Sequence, residues 1–274
     1  MSQASPEDGL FRVIDDHEVD DLTRVLPTRF AGGPWNPSHQ HGGAVAGLLT
    51  RAMHRMPSPV PMRLSRITVE MFRGVPMTPL RVETRVVRAG RGIQSVEANL
   101  FDKETQVARA TGLRVRLDDG LAELATSDAP DPSLGRPPEG PVPAHRAPEG
   151  FEMPPGFIHA VDFVRPEPVD GQPNHVWVRL RCRLIEGEET PPIERFATLA
   201  DFASGTGNAM DYTRYTSINP DLTMHVLREP RSDWLGIVGH TRRAVDGIGQ
   251  STATIHDLEG PIAIAQATLL LDRR

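Results

Sequence analysis

Apolar residues recur at Ala44, Val45, Leu48, Leu49, Ala52, Met53 and Met56, three and four positions apart, and this spacing predicts a helix that begins near Gly43 and buries one face. Beyond it the period changes. Segments 66–72, 80–89, 93–101 and 106–117 are rich in Val, Ile and Thr and are separated by the turn-forming runs Arg73 to Pro76, Gly90 to Gly92 and Asp102 to Thr105, which predicts four strands. Connections this short require antiparallel hairpins. Segments 10–15 and 22–27 predict two further strands ahead of the helix.

The pattern then repeats. Residues 67–117 moved along the chain by 155 positions fall on 222–272 without a gap and give at least eleven identities, where ordinary residue usage would give about three or four. Thr68/Thr223, Arg73/Arg228, Leu80/Leu235, Gly92/Gly247, Asp102/Asp257 and Ala110/Ala265 are among them. The apolar run at 195–203 takes the place of the helix in the second copy, with strands expected at 157–164 and 176–184. Nine of the 26 prolines lie between Pro130 and Pro155, a linker composition. The chain therefore reads as a first domain over 1–118, a Pro/Gly-rich linker over 119–156 and a second domain over 157–274. One long helix against a curved antiparallel sheet, present twice, is an α+β class rather than a doubly wound one.

Composition narrows the partners. With 38% apolar and 5% aromatic residues, the 274-residue chain suits two modest cores better than one large core. Its net charge of -6 provides no field for a phosphate backbone, so nucleic acid is not an expected partner. Cys182 is the one cysteine, which rules out an internal disulfide and a thiolate zinc site. The first residues lack a basic and then apolar signal pattern, and no apolar run reaches the ~18 residues of a membrane span. A soluble, cytoplasmic protein with no membrane partner is expected. His39 and His41 have no cysteine or carboxylate cluster around them, so no metal is expected; Gly205-Thr-Gly207 lacks the lysine of a phosphate-binding loop. No G-x-S-x-G elbow marks a serine nucleophile.

The duplication provides an internal control, because a polar residue whose counterpart differs is not required by the shared fold. Asp201 stands opposite Ala46, Asn219 opposite Leu64 and Gln266 opposite Thr111. Asp201 falls inside a helical pattern, where a buried carboxylate without partners would cost several kcal/mol. It either faces solvent or a buried water, or acts as an acid or base. Gln266 lies in the apolar run 262–271, expected to be buried on both faces, where its amide is either satisfied by backbone or holds a water. Asn219 precedes Pro220 and fits a turn. His41, Gly42 and Gly43 open the first helix; the glycines either make a tight turn or let a ligand approach the helix N-terminus, which favours negative charge.

The order of helix and hairpin-connected strands, duplicated, with His41-Gly42-Gly43 opening the first helix, resembles the tandem hotdog acyl-CoA thioesterases, and most closely bacterial acyl-CoA thioesterase II and its actinobacterial relatives. The stretches 40–47, 64–116, 200–202, 219–224 and 265–267 carry the likeness. The resemblance implies a double hotdog fold and hydrolysis of acyl-CoA to a free acid and coenzyme A, with a place in fatty acid metabolism. No metal or redox cofactor is implied; coenzyme A is part of the substrate. Asp201 would deprotonate the attacking water, assisted by Gln266, with Asn219 where the family usually has a Thr. This is a departure, and Thr216 or Ser217 could supply the hydroxyl instead. His41, Gly42 and Gly43 would bind the substrate, with Gly43 facing Asp201 of the second half and its N–H polarising the thioester carbonyl. One composite site per chain follows, because the second half has Ala197 and Thr198 in place of the glycines. Arg63, Arg66, Arg73 and Arg91 could meet phosphates, although charges at strand ends usually face solvent. Two rivals remain. A hotdog enoyl-CoA hydratase would need an Asp/His pair, and neither helix has a histidine beside a suitable carboxylate, which counts against it; a non-catalytic acyl-thioester-binding module would bind without turnover. Exposed sheet edges predict a homo-oligomer.

Overall fold

A computed structural model describes residues 4–5, 7–15, 22–126, 129–143, 156–167, 174–207 and 210–274. The first half runs β1 (Gly9–Asp15), β2 (Leu22–Pro27), α1 (Gly42–Arg55), β3 (Met62–Met71), β4 (Leu80–Arg88), β5 (Ile93–Asp102) and β6 (Thr105–Arg116). The second runs β7 (Val161–Val164), β8 (His175–Leu180), β9 (Arg183–Ile185), α2 (Pro192–Ala200), α3 (Ala203–Thr206), β10 (Tyr215–Ile218), β11 (Asp221–Val226), β12 (Leu235–Arg243), β13 (Ile248–Asp257) and β14 (Gly260–Arg273). The helix and hairpins expected in the first half are all present, with ends displaced by a few residues.

All strands join one sheet in the order β7-β8-β12-β13-β14-β11-β3-β6-β5-β4-β2-β1-β9, and β10 pairs with β14. Read outward from its centre, each half has the same sequence of six strands. At the centre β3 and β11 pair antiparallel, with Thr68 opposite Thr223 and their hydroxyls 3.2 Å apart. These residues are separated by the 155 positions of the sequence repeat, so the local pseudo-twofold passes between them.

Three expectations change. The segment 157–164 is half helical turn, Phe157–Ala160, before β7 begins, and 176–184 divides into β8 and β9. β9 leaves its own half and pairs with β1 in parallel, Gly9 opposite Arg183, so the sheet is not wholly antiparallel. The two cores also merge: one continuous cluster takes in Leu48, Leu49, Ile67 and Leu100 from the first half and Phe196, Leu199, Met224 and Ile237 from the second. Among the described residues a small satellite, Leu134, Val142, Trp177 and Trp234, stands apart, and it fastens part of the Pro-rich stretch to β8, where Trp177 Nε1 donates to Leu134 O at 3.1 Å.

The merger has a local cause. α1 has the sheet on one side and α2 on the other, so every residue from Gly43 to Arg51 is buried, not one stripe. At the helix crossing, a Cβ on Gly43 would lie 2.3 Å from Thr198 O, and one on Gly47 would lie 2.1 Å from Thr198 Oγ1. Glycine is required there by the approach of the other helix, and the crossing brings the two halves' chemistry together. The far end of α1 is closed by Arg114, a buried guanidinium that donates to the carbonyls of Met53, His54 and Met56. Gly47→Val should lower stability by about 1–3 kcal/mol through overpacking at this crossing, seen as a reduced Tm; an unchanged Tm would contradict the crossing.

Candidate active site

The second-half helix is not continuous. α2 starts at Pro192, where proline suits the first turn, and stops at Ala200; Asp201 is its C-cap, and α3 begins after Phe202. Ser204 Oγ donates to Asp201 O at 2.8 Å and Thr206 Oγ1 to Phe202 O at 2.7 Å, back-bonding of the kind that bends helices. Asp201 is therefore at a helix junction rather than in a helix interior, as the apolar pattern had predicted. Its own helix presents carbonyl oxygens there, an unfavourable end for a carboxylate.

The compensation comes from the other half. Asp201, 5% exposed at its side chain, lies against the N-terminus of α1 so closely that a Cβ on Gly42 would be 2.9 Å from its Oδ2. His41 caps α1, and its Nδ1 is 3.0 Å from Gly43 N and 3.1 Å from Asp201 Oδ2. One ring nitrogen can either accept from Gly43 or donate to Asp201, not both, so the tautomer of His41 decides which bond exists. Asn219 Nδ2 donates to Asp201 Oδ1 at 2.7 Å. Asp201, His41, Gly42, Gly43 and Asn219 thus meet in one place, contributed by both halves.

Gly43 N–H is directed at His41 Nδ1, with the Asp201 carboxylate beside it. One expectation is corrected here. A histidine does lie beside the carboxylate: His41 is 160 positions away from Asp201 in the chain, and only the helix crossing pairs them.

Gln266 is not buried on both faces. β14 alternates, with Ala265, Ala267 and Leu269 inward and Ile264, Gln266, Thr268 and Leu270 exposed. Gln266 opens into a groove of about 480 Å³ with Asn174, His240 and Thr252 among its lining, on the face of β14 opposite the helices. Ile218 pairs with Leu270, so Asn219 meets β14 roughly 10 Å further along the strand from Gln266. Thr216 and Ser217 are half-buried on β10, next to Asn219 in the chain.

Sequence reasoning missed the aromatic surround. The His41 ring stacks on Phe157, with centroids 4.3 Å apart and planes 18° apart, and Phe202 joins them in one cluster, 5.7 Å from His41 and 5.8 Å from Phe157. Phe202 was adjacent to Asp201 in sequence, but Phe157 had no signal beyond an apolar run at the linker's end.

Residues 31–115 match the acyl-CoA thioesterase N-terminal domain family, and residues 137–271 match the acyl-CoA thioesterase C-terminal domain family. The chain belongs to the acyl-CoA thioesterase family. Similar solved structures include acyl-CoA thioesterase II of Mycobacterium marinum, at 17% identity and TM-score 0.66, covering 95% of this chain and 96% of that one. A protein of Novosphingobium aromaticivorans named as a candidate thioesterase aligns at 15% identity and TM-score 0.71, over 96% of this chain and 98% of that one. A hotdog-fold protein of Alicyclobacillus acidocaldarius gives 13% identity and TM-score 0.67, over 94% and 95%. At such identities the likeness establishes the hotdog fold. No curated protein sequence matches the chain.

Within this family member, the electrostatics of Asp201 have a definite sign. Burial pushes its carboxyl up, but the hydrogen bond and charge of His41, the Asn219 amide and Gly43 N–H together outweigh burial and hold it below the usual carboxylate value. Asp201 is therefore ionised at neutral pH. A depressed folded pKa contributes stability that is present above the unfolded value, about 3.9, and lost as pH falls through the folded value. From pH 5 downward, wild type should lose stability relative to Asp201→Asn, as followed by denaturant titration at each pH; a constant difference would contradict the stabilised carboxylate. Among the described residues no helix is long and apolar enough to cross a membrane.

Proposed function

We propose that this member of the acyl-CoA thioesterase family is a double hotdog, with units over 1–118 and 157–274, that hydrolyses an acyl-CoA to a free carboxylic acid and coenzyme A. The observation that carries the reading is an ionised, buried carboxylate held by a histidine, an amide and a helix N-terminus. Such a carboxylate is ionised and placed to orient a water and accept its proton, as a weaker base than a free carboxylate.

Asp201 takes a proton from a water as the water oxygen bonds to the thioester carbonyl carbon. The carbon–sulfur bond then breaks, and the proton returns to the departing thiolate. Asn219 keeps Oδ1 oriented so that Oδ2 faces His41 and the reacting water. His41 in the tautomer that donates to Asp201 releases Gly43 N–H from Nδ1, and the start of α1 then offers positive potential to the developing oxyanion. Gln266 is left out of this reacting group because it lies on the opposite face of the sheet. No step calls on a metal or redox cofactor.

Asp201→Asn should reduce thiol release from acyl-CoA by ~10²–10⁴-fold while acyl-CoA still raises the Tm. A panel of short, medium, long and aromatic acyl-CoAs gives the acyl preference. If wild type releases no thiol from any of them yet is stabilised by them, the chain is an acyl-thioester-binding module. The His41–Asp201 pair also suits addition of water to an enoyl thioester, the second reading. Loss of enoyl absorbance without thiol release would select it. Self-association and residence in the cytoplasm belong to the same proposal, the first checked by sedimentation of the purified chain.

A further inference from the structure

Away from the reacting group, the junction of β8, β9 and α2 forms an open cavity of about 430 Å³ that hydrolysis does not use. Three arginines line it: Arg181 and Arg183, which flank Cys182 at the passage from β8 to β9, and Arg195 from the start of α2. Their guanidinium groups are poorly matched by acceptors from the protein. Arg183 is half-buried, and its side chain has no ion pair or hydrogen bond among the described residues. Arg195 has Asp233 at 3.2 Å, a carboxylate that is itself 68% exposed, and its Nε is buried with no acceptor. Arg181 is held by the buried Asp162, which Arg179 shares, and by Val142 O, yet its Nε is likewise buried without an acceptor.

The surroundings do not supply the missing acceptors. Burial pushes the Cys182 thiol up to about 12, so it stays neutral. Glu189 is exposed at the rim and makes no ion pair with any of the three arginines. Glu194 turns away on α2, its side chain 1% exposed and 3.1 Å from His54 Nδ1 on α1. A buried donor without an acceptor is costly, and an oxygen brought in by a ligand recovers that cost. Guanidinium groups present their donors in a planar fork that matches the oxygens of phosphate, and an anion beside the start of a helix is favoured. The cavity is of the size of small-molecule sites, and none of its lining residues is aromatic. Whatever carries the anion is therefore small and hydrophilic, with no ring on which a base could stack. The arginines singled out in sequence for phosphates, Arg63, Arg66, Arg73 and Arg91, do not line this cavity.

We propose that this cavity binds a phosphate group, free or carried by a small hydrophilic ester, between Arg183 on β9 and Arg195 on α2, with Arg181 beside them. The occupant has a structural consequence. β9 is the strand that crosses to β1 of the first half, and α2 ends at Asp201. An anion joining Arg183 to Arg195 therefore braces the helix that carries the carboxylate against the strand that ties the halves together. The site stands independently of the thioesterase reading.

Calorimetric titration of the full chain with inorganic phosphate, and separately with glucose 6-phosphate, tests the site at an ionic strength held constant with chloride. Wild type should bind, and its Tm should be higher in phosphate than in chloride of equal ionic strength. Arg183→Gln and, separately, Arg195→Gln should raise the Kd about tenfold or more. Asp233→Asn removes the carboxylate that competes for Arg195 and should lower the Kd, an effect that damage to the fold would not produce. Arg116→Ala, at an exposed arginine on β6, should leave the Kd unchanged. Equal or weaker binding of the ester assigns the site to the free ion, and tighter binding of the ester assigns it to a phosphorylated metabolite. No binding of either ligand by wild type, or a Kd unchanged in both arginine variants, would overturn the site. Adenosine 3′,5′-bisphosphate binding far more tightly than the ester through the same arginines would overturn it too, because the cavity would then serve the thioester substrate.

Discussion

The organisation of this chain depends on one buried negative charge at the wrong end of its own helix. Asp201 stands where α2 presents carbonyl oxygens, and an isolated carboxylate there would be strongly disfavoured. It is tolerated because the N-terminus of α1 is brought against it, with His41 and Asn219 completing the neighbours. This proximity requires glycine at 42, 43 and 47, since a side chain at any of them would collide with Asp201 or Thr198. The same approach that neutralises the charge also joins the two halves into one core. Stability of the halves' union and chemistry at the site are thus consequences of a single helix crossing.

The scaffold is close to symmetric, but the site is not. Six strands repeat in the same order on either side of the Thr68–Thr223 pair. At the symmetry-related position of the crossing, Thr198 replaces Gly43 and Ala46 replaces Asp201, so the second possible site has neither the exposed helix start nor the carboxylate. The second half's helix also begins earlier, at Pro192, and breaks at Asp201, whereas α1 is continuous to Arg55. The frame repeats, and a few residues that differ between the halves bring Asp201, His41 and Asn219 together at one of its two crossing positions.

Face parity determined the other outcome. On β14, residues of odd number from Ala265 to Leu269 pack inward, so Gln266 must point outward whatever its chemistry. An apolar run does not disclose this when exposed residues are also apolar, as Ile264 and Leu270 are here. The small residues Ala263, Ala265 and Ala267 gave no contrast with Ile264 that would have marked one side as core.

Periodicity by itself determined that this chain has a helix followed by hairpins, and self-similarity determined that the unit occurs twice. Both are readable because they rest on local rules: 3.6-residue and two-residue repeats, turn chemistry, and an offset that needs no gap. The polar residues out of step with their counterparts drew attention to Asp201 and Asn219, which do meet. Tertiary structure alone decided that His41 is the partner of that carboxylate, that Gly43 N–H is turned toward it, that Gln266 lies on the far face, that β9 crosses to β1, and that Arg183 and Arg195 share one cavity. Each of these depends on how two helices cross or which way a strand faces, and such contacts between residues far apart in the chain carry no local pattern.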